Sequence, residues 1–217
     1  MIWPTMCVDN FFDNPNEIIE LSKKCTFKPI SNAPGTRSEP LHIIDPKFSE
    51  YLCTKMLSLY YPNDIENVRF YAISTFQKVP ANLKFDNWVH KDDNYEITAL
   101  IYLNEHTDSG TSLFNRKKLK FDGIQYSAEK NKYFNDNNET KDLKKFRDLN
   151  NNSFNETSSF KGIYNRLVMF DGSNFHASHI YNDKQNRDRL TLITFFKKIE
   201  LLNTDRSNYP IPTSKRI

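Results

Sequence analysis

The sequence is poor in cysteine and lacks a long apolar run, and each shortage excludes a class of protein. Its three cysteines, Cys7, Cys25 and Cys53, have no CxxC spacing, so we expect free thiols in a reducing compartment. No apolar run approaches the roughly 18 residues of a membrane span. The N-terminus lacks a basic segment followed by an apolar stretch, so we expect no signal peptide and a soluble, cytoplasmic protein.

Glycine and an excess of one charge are also scarce. The 217 residues include only five glycines, so each glycine is expected to mark a sterically demanding backbone position. The 30 basic and 27 acidic residues give a net charge of +3, which does not indicate a nucleic-acid partner. A 38% hydrophobic and 14% aromatic content is typical of a globular protein. The length fits one domain, residues 1–217, with a substantial core.

Two helices are predicted near the N-terminus. Asn14 can cap the first helix, Pro15 suits its first position, and Glu17 completes a capping pattern. Asp45 and Pro46 repeat the arrangement before an apolar pattern with helical spacing. The stretch between the helices, residues 30–40, is expected to be a loop.

From residue 68 onward the apolar period changes from 3.6 to 2, which predicts a mainly β body. The strands are expected at 68–77, 95–104, 110–115, 165–170 and 189–199. Residues 171–188 are expected to connect the last two. The polar segment at about 127–160 reads as an insertion or lid with one helix around residues 139–149. This layout predicts a jelly roll or β-sandwich flanked by N-terminal α-helices.

The stretch "NWVHKDDN" contains the first candidate site residues. His90 and Asp92 are two positions apart, and in extended backbone such residues project to the same side. They could therefore occupy two adjacent positions on a metal ion. An HxD pair alone is a weak signal, because many such pairs are ordinary surface residues.

A metal site needs a third ligand, and the sequence contains few candidates. His42 lies in another context and His106 in a hydrophilic turn, which leaves His176 and His179. Two histidines and one carboxylate form the facial triad of non-haem Fe(II) oxygenases, which leaves coordination positions open.

An arginine at the start of an apolar strand is the second candidate feature. In "RDRLTLITFF", Arg189 and Thr191 fall on one face of the strand, and Leu190, Leu192 and Thr194 fall on the other. A cation in a buried strand is costly unless it meets an anion, and the guanidinium fork suits a carboxylate. The alternative is that Arg189 caps the strand in solvent.

The order of these motifs resembles that of the 2-oxoglutarate- and Fe(II)-dependent dioxygenases, especially their prolyl-4-hydroxylase-like branch. The similar segments include "ITALIYLNE", "SGTSLF" and "NRLVMFDGSNFHASH", and the opening "VDNFFDNPNEIIELS" resembles an entry helix. The resemblance extends from about residue 8 to 198 and leaves 127–160 unmatched. It implies a double-stranded β-helix, the jelly-roll fold of that family.

The resemblance also implies roles for individual residues. His90, Asp92 and His176 would ligate Fe(II), with His179 as the alternative distal ligand. Arg189 and Thr191 would bind the distal carboxylate of 2-oxoglutarate. Two further alternatives stay open: Tyr102 donates to the same carboxylate or is a core aromatic, and Arg187 replaces Arg189.

The activity implied by the resemblance is hydroxylation of a C–H bond in a peptidyl or small-molecule substrate. O₂ and 2-oxoglutarate are consumed, succinate and CO₂ are released, and ascorbate can serve as reductant. Asp92 favours hydroxylation or demethylation over halogenation, since the related halogenases lack this carboxylate. The rival interpretation is a non-catalytic, cupin-like metal-binding or interaction module, which would have no use for a carboxylate clamp such as Arg189 and Thr191.

Overall fold

A computed structural model describes residues 3–30, 33–81, 87–92, 94–104, 109–117, 130, 132, 141–179 and 187–202. The α-helices in this part of the chain are α1 (Pro15–Lys23), α2 (Leu41–Ile44), α3 (Pro46–Leu57) and α4 (Lys141–Asn151). The first strands are β1 (Met6–Val8), β2 (Phe27–Pro29), β3 (Thr36–Ser38), β4 (Val68–Val79) and β5 (Ile97–Tyr102). The others are β6 (Gly110–Arg116), β7 (Phe154–Lys161), β8 (Leu167–Asp171), β9 (Phe175–Ser178) and β10 (Arg189–Leu201).

The strands form two antiparallel sheets, and the predicted jelly roll is confirmed. The large sheet has the order β1-β8-β5-β10-β4-β3-β2, and the small sheet has the order β7-β6-β9. Several neighbours are distant in sequence, such as β1 and β8 or β4 and β10, so the large sheet interleaves early and late parts of the chain. Every registered strand pair is antiparallel.

The predicted helices form, and their capping is partly as expected. Asp45 accepts a hydrogen bond from the backbone N–H of Phe48 at 3.0 Å, as an N-cap residue does. Asn14 occupies the N-cap of α1 but caps no backbone group, because its amide donates to the Glu17 carboxylate at 2.7 Å. Within the described residues, no helix combines the length and the apolarity needed to cross a bilayer.

The central strand β5 is buried on both faces, as its apolar sequence predicts. One face packs with helix α3 in the main core, where Leu52, Met56 and Ala99 belong to one cluster. The other face turns toward the small sheet, where Leu100 and Leu113 belong to a second cluster. Burying an aliphatic side chain of this size stabilises the fold by about 1.5–3 kcal/mol.

Three regions predicted to be irregular or inserted contain strands. The expected loop 30–40 includes β3, which pairs with β4. The expected connection 171–188 includes β9, which pairs with β6. Residues 154–160 of the expected insertion lie within β7, which also pairs with β6. Each strand is short or polar, and only pairing with a distant partner gives it a fixed conformation.

Candidate metal centre

The two histidines of the candidate centre face each other across a backbone bridge between the HxD segment and β9. The N–H of His90 donates to the carbonyl of His176 at 3.0 Å, and the reverse bond measures 2.7 Å. The two imidazole rings have centroids 4.4 Å apart. Strand pairing therefore brings together residues that are far apart in the sequence.

Each imidazole is fixed in one orientation by a backbone carbonyl. His90 Nδ1 lies 2.8 Å from the carbonyl oxygen of Trp88, and His176 Nδ1 lies 3.0 Å from that of Asn174. Since a carbonyl only accepts, both Nδ1 atoms donate, and in the neutral imidazole the lone pair is then on Nε2. A hydrogen-bonded Nδ1–H with a free Nε2 is the tautomer that a metal-ligating histidine uses.

Asp92 lies beside both histidines and is held by its own partners. One carboxylate oxygen is 3.4 Å from His176 Nε2 and accepts a hydrogen bond from the Thr98 hydroxyl at 2.8 Å. The backbone N–H of Asp92 donates to the Gly172 carbonyl at 2.8 Å. One ligand atom from each of His90, Asp92 and His176 lies within 4.8 Å of the others.

The electrostatics favour the protonation states that metal binding needs. Burial, with help from Lys130 and His176, lowers the pKa of His90 well below its usual value, so its imidazole is neutral. Burial alone would raise the pKa of Asp92, but the two histidines and the Thr98 hydrogen bond lower it. Imidazole and carboxylate are ligands that suit Fe(II), so these residues could hold that ion.

The alternative histidines are placed differently. His179 Nε2 lies 2.8 Å from the Ser112 hydroxyl and 3.1 Å from that of Ser159, in the small sheet. His42 is exposed on α2. His106 lies outside the described residues. Of the described histidines, the structure groups His90 and His176 with Asp92.

A cavity of about 160 Å³ adjoins the three residues and lies between the two sheets. Its wall includes Arg189, which is only 6% exposed. The alternative of a solvated cap for Arg189 therefore does not hold. Arg187, in contrast, is exposed.

Thr191 and Tyr102 form a registered pair on neighbouring strands and are both buried. The Tyr102 hydroxyl donates to Thr111, which lines the cavity, at 2.8 Å. The Arg189 guanidinium lies 5.8 Å from the centroid of the Tyr102 ring. Tyr102 is thus packed as a core aromatic, and its polar end is directed to a cavity-lining hydroxyl.

The sequence interpretation missed several residues that build the site. Thr98 supports Asp92, and its only sequence signal is a hydroxyl in an otherwise apolar strand. Asn150 and Asn151 at the end of α4 hold the segment before His90 through bonds to Val89 and Asn87, at 2.8–2.9 Å. These contacts connect distant segments, which no local pattern records.

Two cations in the cavity were also missed. Arg37 from β3 and Lys130 both line the cavity wall. Burial lowers the pKa of Lys130 to about 8, although Asp92 acts to raise it. Lys130 belongs to the range 127–160 that the sequence predicts as an insertion.

Comparison with solved structures identifies the class of fold. HygX from Streptomyces hygroscopicus, solved with nickel and 2-oxoglutarate bound, is 12% identical, with a TM-score of 0.55 over 88% of this chain and 81% of its own. The carbocyclase SnoK from nogalamycin biosynthesis, described as α-ketoglutarate-dependent, is 10% identical, with a TM-score of 0.57 over 88% and 78%. The fold is that of the 2-oxoglutarate- and Fe(II)-dependent oxygenases.

A prolyl 4-hydroxylase from Phytophthora capsici is 14% identical with a TM-score of 0.48. The match covers 88% of this chain but only 58% of the length of the Phytophthora protein. The search of curated proteins found no match. The chain belongs to DUF6445, a family of unknown function whose model matches residues 3–196.

Proposed function

We propose that this protein is an Fe(II)- and 2-oxoglutarate-dependent oxygenase of the prolyl-hydroxylase-like branch. It hydroxylates a C–H bond of a peptidyl or small-molecule substrate. The observation that carries the proposal is the convergence of His90, Asp92 and His176 on one wall of a cavity that also contains Arg189. The binding of nickel and 2-oxoglutarate by the similarly folded HygX supports it.

In this proposal His90, Asp92 and His176 hold the metal, and their supports keep them in position. The Trp88 and Asn174 carbonyls fix the two imidazole tautomers. When bound, Fe(II) supplies the redox chemistry that couples 2-oxoglutarate and O₂ to substrate oxidation, with succinate and CO₂ as by-products.

Arg189 binds the distal carboxylate of 2-oxoglutarate, and Thr191, two residues further along the same strand, assists it. A buried guanidinium needs an anion, and its planar fork can donate to both carboxylate oxygens. Tyr102 acts as a positioning residue, since its hydroxyl holds Thr111 at the cavity wall.

The remaining segments have supporting roles in the proposal. The segment that the sequence predicts as an insertion or lid contributes Lys130 to the cavity wall. The same stretch supplies α4, which holds the HxD segment through two asparagines. The three free thiols fit a reducing, cytoplasmic environment.

The test is an anaerobic titration of the metal-free protein with Fe(II) and 2-oxoglutarate, monitored through the weak visible charge-transfer band of a chelated 2-oxo acid. The band should appear at one equivalent, be lost in Asp92→Ala and weaken in Arg189→Gln. Arg69→Gln, which removes an exposed arginine on β4, is the control and should leave the band unchanged. Iron binding without the band would favour the metal-binding module, and no iron binding would overturn both interpretations.

A further inference from the structure

The cavity contains more positive charge than the proposed co-substrate needs. The charged residues among its described lining are Arg37, Lys130, Arg189 and Asp92. In the proposed function, Asp92 and the two negative charges of 2-oxoglutarate are balanced by Fe(II) and Arg189. Arg37 and Lys130 then remain as cations without an assigned anion. Both side chains are half-buried, and withdrawing a cation from water is costly unless an anion joins it.

Arg37 is held in the cavity by its neighbours. Arg37 pairs with Gln77 in the β3–β4 ladder. The side-chain amide of Gln77 donates a hydrogen bond to the Pro34 carbonyl at 2.7 Å. Gly35 adopts a φ of +77°, and a Cβ there would lie 2.0 Å from the Lys78 carbonyl oxygen. The loop before Arg37 can therefore lie this close to β4 because residue 35 is glycine.

The guanidinium of Arg37 is desolvated and has unused donor capacity. Its central carbon lies 5.2 Å from the centroid of the Phe195 ring, within the range of a cation–π contact. Its Nε atom is buried and has no hydrogen-bond partner among the described residues. The N–H groups of a guanidinium lie in its own plane, where they can bind an oxyanion.

We propose that Arg37, together with Lys130, binds a carboxylate or phosphate group of the primary substrate in the cavity of the metal centre. This inference rests on the proposed function and adds to it the chemical class of the substrate, an anion. Arg189 and Arg37 then have separate tasks: Arg189 binds the co-substrate and Arg37 the substrate. Tyr95 and Phe195, whose rings lie 4.7 Å apart, supply an apolar surface beside the anion site.

Two pairs of small probes test the proposal on the full chain. N-acetylglycine and its neutral amide test for a carboxylate, and dimethyl phosphate and neutral trimethyl phosphate test for a phosphate. The protein is loaded with Mn(II) and 2-oxoglutarate, and the paramagnetic broadening of the probe methyl protons is measured by NMR. The methyl signal of at least one anionic probe should broaden saturably, and that of its neutral partner should not. The anion that binds more tightly identifies the preferred group.

Variants assign the effect to Arg37. Arg37→Gln should weaken binding of the anion by about tenfold or more and retain 2-oxoglutarate. Arg37→Lys and Lys130→Met should weaken it less, and the exposed control Arg69→Gln should not change it. Equal binding by wild type and Arg37→Gln, or no anion binding to the loaded protein, would overturn the proposal. Loss of 2-oxoglutarate from Arg37→Gln but not from Arg189→Gln would also overturn it.

Failure of the proposed function is recognised separately. If neither Mn(II) nor 2-oxoglutarate binds, the oxygenase proposal fails, and saturation-transfer NMR on the metal-free protein then tests the anion site alone. A probe signal that is lost in Arg37→Gln would support an anion site in this cavity. A signal equal in both proteins, or no signal in either, would eliminate it.

Discussion

His90 and His176 are paired through two backbone hydrogen bonds, and their side chains project from that pair toward Asp92. The geometry of the candidate centre therefore depends on the register between β9 and the HxD segment. A shift of one residue would turn the His176 imidazole to the opposite face of the strand.

This register separates the two candidates for the distal ligand. His176→Ala should abolish stoichiometric Fe(II) binding, because one of three ligand atoms is removed. His179→Ala should retain the metal, since that imidazole bonds Ser112 and Ser159 instead. Anaerobic calorimetry on both variants makes the comparison. Retention of iron by His176→Ala with loss in His179→Ala would reverse the assignment.

Thr98→Val should weaken metal affinity without preventing folding. The variant removes the hydroxyl that donates to Asp92 at 2.8 Å and leaves the shape of β5 nearly unchanged. Loss of such a supporting hydrogen bond typically costs about 10–100-fold in metal affinity. The control is Thr194→Val. This residue lies on β10 opposite Ala99 of the main core, where its hydroxyl contacts Ser74. Competition with a metal chelator measures the metal affinity of both variants. An affinity of Thr98→Val equal to that of the wild type would refute a support role for Thr98.

Asn151→Ala should loosen the HxD segment. The side chain bonds the backbone at Val89 and Asn87, and each net hydrogen bond contributes about 0.5–1.5 kcal/mol. We expect a loss of about 1–3 kcal/mol in unfolding free energy together with weaker metal binding. Urea denaturation and metal titration measure the two effects. Asn155→Ala, an exposed position on β7, should change neither.

Gly172→Ala should displace the backbone at Asp92 and so weaken metal binding. A Cβ at this position would lie 2.1 Å from the Tyr95 carbonyl oxygen and 3.0 Å from that of Asp92. The backbone segment that contains Asp92 must then shift, and metal affinity should fall. Gly162→Ala is a matched control because its Cβ would clash with Ser109 instead. It should lose stability, seen by thermal melting, and keep its metal affinity.

The buried thiol of Cys53 should lower the free energy of unfolding at alkaline pH. Burial raises the pKa of its thiol from 9.0 to about 11, so above pH 9 the unfolded chain releases a proton that the folded chain retains. The stability present below pH 9 is therefore lost as the pH rises toward 11, by about 1.4 kcal/mol per unit. Cys53→Ala should show a smaller decline between pH 9 and 11 in urea denaturation. Parallel declines would contradict the assignment.

The local sequence determined the elements with strong periodic patterns. The caps and apolar spacing predicted α1 and α3, period-two alternation predicted β4, and apolar runs predicted β5 and β10. These signals are readable because each depends on residues that are neighbours in the sequence. The motif order also indicated the three residues of the candidate centre, although it left His176 and His179 as alternatives.

The tertiary structure alone decided how distant segments meet. The strands β3 and β9 lie in stretches without a strong pattern, and they form because an adjacent strand offers unpaired backbone groups. Arg37 enters the cavity through β3, and His176 is distinguished from His179 through β9. Contacts of this kind join residues more than 30 positions apart, so no local period in the sequence encodes them.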